Sequence, residues 1–367
     1  MRLVTPWFGS FARQAFRAGM MEAQEILVGC AGAEPIDLVP DSSFAWKASV
    51  HHRLAHLPGF EALAKANVGL RAAELGGTCD VFIAVFPYWR DLHWINAIKR
   101  WRSRCGTAIC WIDELWVREI PGVKHWFRWL DDFDHIFVGV PGSEHALSKA
   151  LGRPCHLLVG AVDTLKFRPI SNYAARGIDV YSVGRRVDAV HKELLRLEQE
   201  EGIFYVFDTL HSGESRMDDY SSHRQMYANL CKRSRVFIVA PGKVDQVRQT
   251  GGQADIGYRY FEGVAAGAVL VGSAPDADAF RSNFDWKDSI VEIRADGRNA
   301  YGVVRDLLAD TGRLEAISVQ NMVMALRRHD WAHRWLTMFE RAGLPEPTGL
   351  VRRVARLEEA ARAARVV

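Results

Sequence analysis

The segment YRYFEGVAAGAVLVGS, residues 258–273, combines two charged side chains with a run of small apolar residues. Arg259 and Glu262 stand three residues apart, directly after a glycine-containing loop that ends at Gly257. Free backbone N–H groups at a helix start suit a phosphate, and the helix dipole favours a carboxylate there. Such a carboxylate could accept hydrogen bonds from neighbouring hydroxyl groups of a ligand. The alternative is a capped helix that simply carries a glutamate in its first turn.

A second cluster of cations follows a predicted strand in the segment SVGRR, residues 182–186. Gly184 would let the backbone approach a ligand closely, and Arg185 or Arg186 could bind a phosphate. Lys192 lies a few residues further on and could add a third positive charge. The alternative is that these side chains are solvated cations on an exposed helix.

Two carboxylates, Asp113 and Glu114, end a buried apolar strand in the segment ICWIDELW. A carboxylate beside a wall of tryptophan can have its pKa raised toward that of a working general base. Without a catalytic role, the two side chains would cap the following loop. His51 and His52 are rival bases, because imidazole transfers protons near neutral pH.

Two other acidic groups are weaker candidates. Asp132 and Asp134 have the spacing of a pair that holds a metal ion, but they precede a predicted strand. Ligands of an open parallel sheet bind at the carboxyl ends of its strands, so we expect no metal site there. The acidic residues of MDDY, 217–220, are expected to be solvated.

The elements that must position these residues are strands alternating with helices, which predicts two parallel, Rossmann-like sheets. The predicted strands of the first half are 79–86, 107–113, 134–140 and 156–163. Those of the second half are 178–184, 203–208, 236–242, 269–273 and 289–294. In the first 70 residues, EILVG and IDLV are candidate strands. A polar linker near residue 172 separates an N-terminal domain over 1–171 from a C-terminal domain over 172–340.

Length and composition describe the class of protein. A chain of 367 residues favours two domains, and 49% hydrophobic with 25% charged residues is typical of a soluble globular protein. The formal net charge of +3 is small, so we expect no nucleic-acid partner. The cysteines form no CxxC pair and no zinc pattern, which fits reduced thiols. With no apolar run of about 18 residues and no signal-peptide core, we expect a cytoplasmic protein, with peripheral contact with the inner face of a membrane as a further option.

Tryptophans concentrate between residues 89 and 129, interleaved with arginine and lysine. They are Trp89, Trp94, Trp101, Trp111, Trp116, Trp126 and Trp129. One interpretation is an aromatic platform for an acceptor or a membrane interface, and the other is core packing of long aromatic side chains. The second requires fewer assumptions.

Three segments, in this order, resemble the GT-B-fold glycosyltransferases. They are G-A-V-D followed by F-R-P before the linker, the strand–Gly–Arg segment with its downstream lysine, and R-x-F-E-x-x-A-A-G-x-x-L-V. The last is similar to the C-terminal signature of the Glyco-trans-1 type. The resemblance is best over residues 155–295. It implies two Rossmann-like domains facing a central cleft, with a final helix over 341–367 that crosses back to the first domain.

The resemblance also implies roles for individual residues. Glu262 would hold the ribose of a nucleotide-sugar donor, and Gly160 and Asp163 would lie at the interdomain side of the cleft. The residues implied at the donor diphosphate are Gly184, Arg185, Lys192, Gly257, Tyr258 and Arg259. Ala254 departs from relatives that carry a second glutamate eight residues before the ribose glutamate.

The sequence therefore predicts a glycosyltransferase that moves a sugar from a nucleotide-diphosphate donor to a saccharide, lipid-linked or protein acceptor. We expect neither a metal ion nor a further cofactor, and Asp113 and Glu114 are the candidate catalytic residues. Two alternatives remain open. One is a non-catalytic binding or assembly protein of the same fold, and the other is an epimerase that acts on a sugar nucleotide.

Overall fold

The computed structural model describes residues 1–9, 11–54, 57, 66–169, 176–209, 216–217, 219–294 and 296–364. Within these ranges, two parallel sheets form the centres of two domains. Each sheet has helices packed on its faces, because its strands are apolar on both sides.

The first sheet has six strands in the order β2-β1-β4-β6-β7-β8. The strands are β1 (Leu3–Trp7), β2 (Glu34–Asp37), β4 (Cys79–Tyr88), β6 (Cys105–Glu114), β7 (His135–Val138) and β8 (His156–Leu157). Two short strands, β3 (Ala73–Glu74) and β5 (Ile98–Lys99), pair separately. All these pairings are parallel, so the ends of β1, β4 and β6 open onto the same edge.

The second sheet has five strands in the order β10-β9-β11-β12-β13. The strands are β9 (Ile178–Ser182), β10 (Tyr205–Phe207), β11 (Ser234–Val239), β12 (Val269–Gly272) and β13 (Val291–Glu292). Their parallel register again places every carboxyl end at one edge.

The helices of the described residues connect these strands and complete the chain. They are α1 (Ala18–Ala31), α2 (Phe44–Leu54), α3 (Ser143–Leu151), α4 (Thr164–Phe167), α5 (Asp188–Glu201), α6 (Tyr220–Arg233), α7 (Val247–Thr250), α8 (Tyr258–Ala265), α9 (Asp278–Asn283), α10 (Ala300–Ala309), α11 (Thr311–Arg328), α12 (Trp331–Arg341) and α13 (Thr348–Ala364). In the part of the chain that is described, no helix has both the length and the apolar character needed to cross a bilayer.

Three predicted strands differ from the structure, and one of them, 289–294, is reduced to Val291–Glu292. EILVG lies inside α1, where Ile26 and Leu27 pack into the first domain's core as part of a helix. The predicted strand 156–163 is reduced to His156–Leu157, and the chain turns at Asp163, whose side chain caps α4. Short apolar runs fit a buried helix as well as a strand, so packing decides between them.

The tryptophans of the 89–129 segment belong to the core of the first domain. Each is at most 6% exposed, so none offers an aromatic platform on the surface, and core packing is confirmed. His51 is buried in the same region, with its ring centroid 4.7 Å from that of His93. The role of His51 as a rival base, like that of the exposed His52, stays a prediction.

The chain returns to the first domain through α12. Trp331 and Trp335 pack against Trp111 of β6, with ring centroids 5.7 and 5.8 Å apart. Helix α13 then packs against α1, α11 and α12. The return therefore begins at Trp331, before the predicted boundary at residue 341.

Candidate functional site

A cavity of about 120 Å³ opens at the carboxyl ends of β9, β11, β12 and β13. Arginine residues from several loops line it, and apolar residues of β11 and of the loops that follow β11 and β13 contribute to its wall. The arginines are Arg185, Arg186, Arg259 and Arg294, and the apolar residues include Ile238, Val239, Ala240, Val244 and Ile293. We call this cavity the arginine pocket.

Backbone carbonyls hold the arginines of this pocket in place. Arg259, in the first turn of α8, donates to the carbonyl oxygens of Val183 at 2.6 Å and Arg185 at 3.0 Å. Arg186 donates to the carbonyl of Asp208 at 2.7 Å. Because protein groups already orient these guanidiniums, little side-chain freedom remains to be lost when a ligand binds.

The loop after β9 depends on Gly184. Its φ is +73°, a left-handed conformation that glycine adopts without a steric penalty. Its N–H donates to Asp208 at 2.8 Å. This turn brings Arg185 over the pocket, where the guanidinium donates to both carboxylate oxygens of Asp245 at 2.7 and 2.8 Å.

The composition of the pocket indicates the class of ligand. Guanidinium groups bind phosphate oxygens through charge-assisted, paired hydrogen bonds. The apolar wall beside them suits a planar ring. The arrangement can therefore bind a molecule with an anionic diphosphate and an apolar or aromatic portion.

Opposite the second domain, the end of β6 presents the predicted carboxylates. The hydroxyl of Tyr258 donates to Asp113 at 2.8 Å, so the first turn of α8 contacts the first domain. Glu114 accepts a hydrogen bond from the Trp116 indole N–H at 2.7 Å and forms an ion pair with Lys243. The structure thus brings Asp113, Glu114 and Tyr258 together across the cleft.

Burial raises the pKa of several acidic groups in the cleft. Burial raises the pKa of Asp113 well above its ordinary value, although the Tyr258 hydroxyl opposes this. Burial, followed by the charge of Glu114, raises the pKa of Asp255 to about 7. The pKa of Tyr258 is also raised well above its ordinary value, first by burial and then by Asp113. A carboxyl group with a pKa near 7 can both accept and donate a proton at neutral pH.

Several predicted donor residues do not line the arginine pocket, among them Gly184, Gly257 and Tyr258. Lys192 is exposed on α5 and does not line the cavity. Glu262 is buried, and its carboxylate accepts from the Arg224 guanidinium and, at 2.8 Å, from the Tyr227 hydroxyl. Because protein donors contact both oxygens, the role of Glu262 toward a ribose stays a prediction. Gly257 caps the start of α8, as the motif predicts.

Arg224 connects Glu262 to the first domain. Its guanidinium also donates to both oxygens of Glu22 on α1, at 2.9 Å each. Glu22 accepts further from the backbone N–H of Asp163 at 2.7 Å. Asp163 and Glu262 thus belong to one buried network that joins α1, α4, α6 and α8.

Asp134 and Asp219, from the two weaker acidic candidates, make contacts within the protein. Asp134 pairs with Arg102 at 2.9 Å and accepts from the backbone N–H of Ala108 at 2.7 Å. Among the described residues, no group of three or more histidine, cysteine, aspartate or glutamate side chains is placed to hold a metal ion. Of the MDDY segment, Asp218 lies outside the described residues, and Asp219 caps α6.

Sequence reasoning missed Lys243, Asp255 and Arg294, and did not commit to Arg186. Lys243 directly follows Pro241-Gly242 at the end of β11, so a strand-end loop was the available signal. Gly242 is closely packed, because a Cβ at this position would lie 2.6 Å from a carboxylate oxygen of Asp255. The proximity of Lys243 and Asp255 to the cleft becomes visible only in the structure, where the loop after β11 packs against the segment before α8.

Comparisons with known proteins support the sequence resemblance. Residues 198–340 match a family described as glycosyl transferase-like. No curated protein sequence significantly matches the chain. An alpha-glucosyltransferase (AGT) in complex with UDP shares the fold, with a TM-score of 0.55, 11% identity, and 93% of this chain and 99% of that chain covered. Anabaena Alr3699/HepE in complex with UDP has a TM-score of 0.51 and 10% identity over 94% of this chain and 100% of that chain.

The structural matches confirm the predicted GT-B fold, and the family match is limited to residues 198–340. They also correct one expectation. A further structure of an alpha-glucosyltransferase, with a TM-score of 0.54 and 11% identity over 93% of this chain and 98% of that chain, contains UDP and a 13-mer DNA. The small net charge therefore does not exclude nucleic acid, because local surface charge decides such binding.

Proposed function

We propose that this chain, glycosyl transferase-like over residues 198–340 and GT-B in fold, transfers a sugar from a nucleotide-diphosphate donor to an acceptor hydroxyl. The donor binds in the arginine pocket of the second domain. The reaction takes place in the cleft that Asp113 and Glu114 face.

One observation carries this proposal: four arginine residues line a cavity with an apolar wall at the carboxyl ends of the second sheet. This edge of a parallel sheet is where such folds bind ligands. UDP is the nucleotide in the structural neighbours, so it is the first ligand to test.

The proposed chemistry uses groups on both sides of the cleft. The arginines and the N–H groups at the start of α8 stabilise the negative charge that develops on the leaving diphosphate. Glu114 or Asp255 accepts the proton of the acceptor hydroxyl, and the raised pKa of Asp255, about 7, suits proton transfer near neutral pH. Asp113 accepts a hydrogen bond from the Tyr258 hydroxyl and so fixes the position of α8 against the first domain.

The diphosphate charge is met by guanidinium groups in this proposal, so no metal ion takes part. UDP affinity measured by calorimetry in EDTA is expected to equal that measured in Mg²⁺. A clear requirement for Mg²⁺ would contradict the metal-independent arrangement.

The central test is nucleotide binding by wild type and pocket variants. Calorimetry against UDP, GDP, ADP, CDP and dTDP is expected to identify at least one ligand. Arg259→Met is expected to weaken its binding by about tenfold or more, because one charge-assisted contact contributes about 1.5–3 kcal/mol. The control is Arg298→Met, since that side chain is 85% exposed and lies outside the pocket.

Turnover is tested with UDP-glucose by measuring released UDP, with and without candidate acceptors. Wild type is expected to release UDP, and Glu114→Gln to release it more slowly. If none of the diphosphates binds, or if Arg259→Met binds as tightly as wild type, the proposed donor site is wrong. Binding without release of UDP from any donor sugar would instead indicate a non-catalytic protein.

A further inference from the structure

The loop between β11 and α7, residues 240–246, touches both halves of the candidate site. Ala240 and Val244 line the arginine pocket. Between them, Lys243 points to the other domain and forms an ion pair with Glu114. A single short loop therefore contacts the donor pocket and a candidate catalytic carboxylate at the same time.

A carboxylate of the same loop also pairs with one of the arginines of the pocket. Asp245 accepts two hydrogen bonds from Arg185, at 2.7 and 2.8 Å. The anionic oxygens of a diphosphate would compete for this guanidinium, because they offer it the same paired hydrogen bonds. A ligand in the pocket therefore acts directly on the loop through Asp245.

The backbone of Lys243 is unusual. Its φ is +52°, in the left-handed region that a residue with a long side chain rarely adopts. Such conformations persist where surrounding contacts hold them, and they concentrate at functional sites. Here the contacts are the first domain's Glu114 and the rings of Tyr88 and Trp116, whose centroids lie 5.5 and 5.8 Å from the lysine Nζ.

Glu114 is confined by the same group of residues. One of its oxygens accepts the Trp116 indole N–H at 2.7 Å, and the ion pair with Lys243 uses the same oxygen. Asp255, whose pKa is raised in part by the charge of Glu114, packs against Gly242 of the loop. Movement of Lys243 would therefore change the contacts of Glu114 and of its neighbour Trp116 together.

We propose that Lys243 is a positioning residue that transmits donor binding to Glu114. When a nucleoside diphosphate takes Arg185 from Asp245, the 240–246 loop shifts and Lys243 changes its contact with Glu114. The carboxylate becomes available to the acceptor hydroxyl only when the donor is present. This inference rests on the proposed function, because it requires a diphosphate in the arginine pocket.

The experiment uses the full chain labelled with 5-fluorotryptophan, in which Trp116→Phe identifies the Trp116 resonance by ¹⁹F NMR. Saturating UDP, or the diphosphate that calorimetry identifies, is expected to shift this resonance in wild type. Lys243→Met, and Lys243→Asn, which tolerates the left-handed backbone, are expected to abolish the shift. Both variants are expected to bind the nucleotide within about threefold of wild type, because Lys243 does not line the pocket.

Asp245→Asn gives a second, nucleotide-free readout. Weakening the contact with Arg185 is expected to move the Trp116 resonance toward its nucleotide-bound position without any ligand. Lys149→Met, a change at an exposed lysine of α3, is the matched control and is expected to respond as wild type does.

The outcomes separate this inference from the proposed function. If nucleotide binds but the wild-type Trp116 resonance stays in place, or if Lys243→Met keeps the shift, Lys243 does not transmit binding. If no diphosphate binds, the proposed function fails. An unchanged resonance in Asp245→Asn would then show separately that the loop is not coupled to Glu114 either.

Discussion

Asp255 lies on the second domain, yet its environment depends on the first. Burial raises its pKa most, and the next cause is the charge of Glu114, which reaches it across the cleft. Lys243 acts in the opposite direction. The protonation of this one carboxyl group therefore reports whether the two domains are together.

This arrangement predicts a pH-dependent stability. An unfolded aspartate loses its proton near its ordinary pKa of about 3.9, whereas folded Asp255 keeps it until about pH 7. Folded protein thus binds the extra proton between these values, so stability falls as pH rises through this window and levels above it. Asp255→Asn is expected to remove this fall and to gain about 3 kcal/mol relative to wild type between about pH 4.5 and 7.5.

The measurement is urea unfolding of both proteins across this pH range. Asp276→Asn is the control, because its side chain is 97% exposed and its stability curve should run parallel to that of wild type. Parallel curves for Asp255→Asn would show that Asp255 titrates normally.

Among the elements, α1, α6 and α8 are joined by a buried ion-pair network. Arg224 of α6 stands between Glu22 of α1 and Glu262 of α8, and all three side chains are almost inaccessible to solvent. Burial would raise the pKa of Glu22, but Arg224 outweighs it together with Lys166, so the pKa of Glu22 is lowered. The cation therefore keeps two buried carboxylates compatible with folding.

Arg224→Met is expected to destabilise the protein by about 3–5 kcal/mol, because it leaves buried carboxylates without their partner. Thermal or urea unfolding measures this change. Arg313→Met is the matched control, since its pair with Asp288 is partly exposed and should contribute about 1 kcal/mol or less. A similar small effect for Arg224→Met would mean that the network contributes little.

A binding experiment distinguishes the two possible roles of Glu262. If Glu262 mainly anchors α8 to Arg224 and Tyr227, Glu262→Gln is expected to lower stability while UDP affinity stays within about threefold of wild type. If Glu262 holds the ribose, as the motif predicts, calorimetry would show a loss of about tenfold or more.

The sequence predicts secondary-structure elements and the strand ends at the edge of a sheet better than it predicts contacts between side chains. Asp113, Glu114 and Arg185 are predicted site residues because each ends or follows a buried strand, and parallel strands end at a common edge. Lys192 does not line the arginine pocket, because spacing along α5 does not say which face points inward, and its role at a diphosphate stays a prediction. The partners of Glu262 were not predictable, since Glu22 and Arg224 are distant in sequence and meet only through tertiary packing.

At the scale of the whole molecule, the two domains are fastened by the end of the chain. Arg353 of α13 donates to Asp330 at 2.7 and 2.8 Å and to Asp163 at 2.5 Å. Trp335 of α12 is fully buried against the first domain, and its indole N–H donates to the carbonyl of Ala23 at 2.9 Å. The first domain's core is therefore incomplete without the C-terminal helices.

Trp335→Ala is expected to destabilise the first domain by about 3–5 kcal/mol, because it leaves a large cavity in a packed core. Near-ultraviolet circular dichroism during thermal unfolding follows this loss. Trp46→Ala is the control, since that side chain is 67% exposed and should change stability by about 0.5 kcal/mol or less. Equal effects of both changes would contradict the structural role of α12.

The return of α12 to the first sheet also sets an order of events during protein synthesis. Leu3 and Ile83 are among the first core residues to leave the ribosome, but Trp331, which packs in the same cluster, is made near the end. Until then, helix α1 covers only part of this face of the first sheet, and the apolar surface left exposed favours aggregation or chaperone binding. Ribosome-bound chains that stop before Trp331 are therefore expected to be protease-sensitive in their N-terminal half, whereas chains extended past α13 resist digestion.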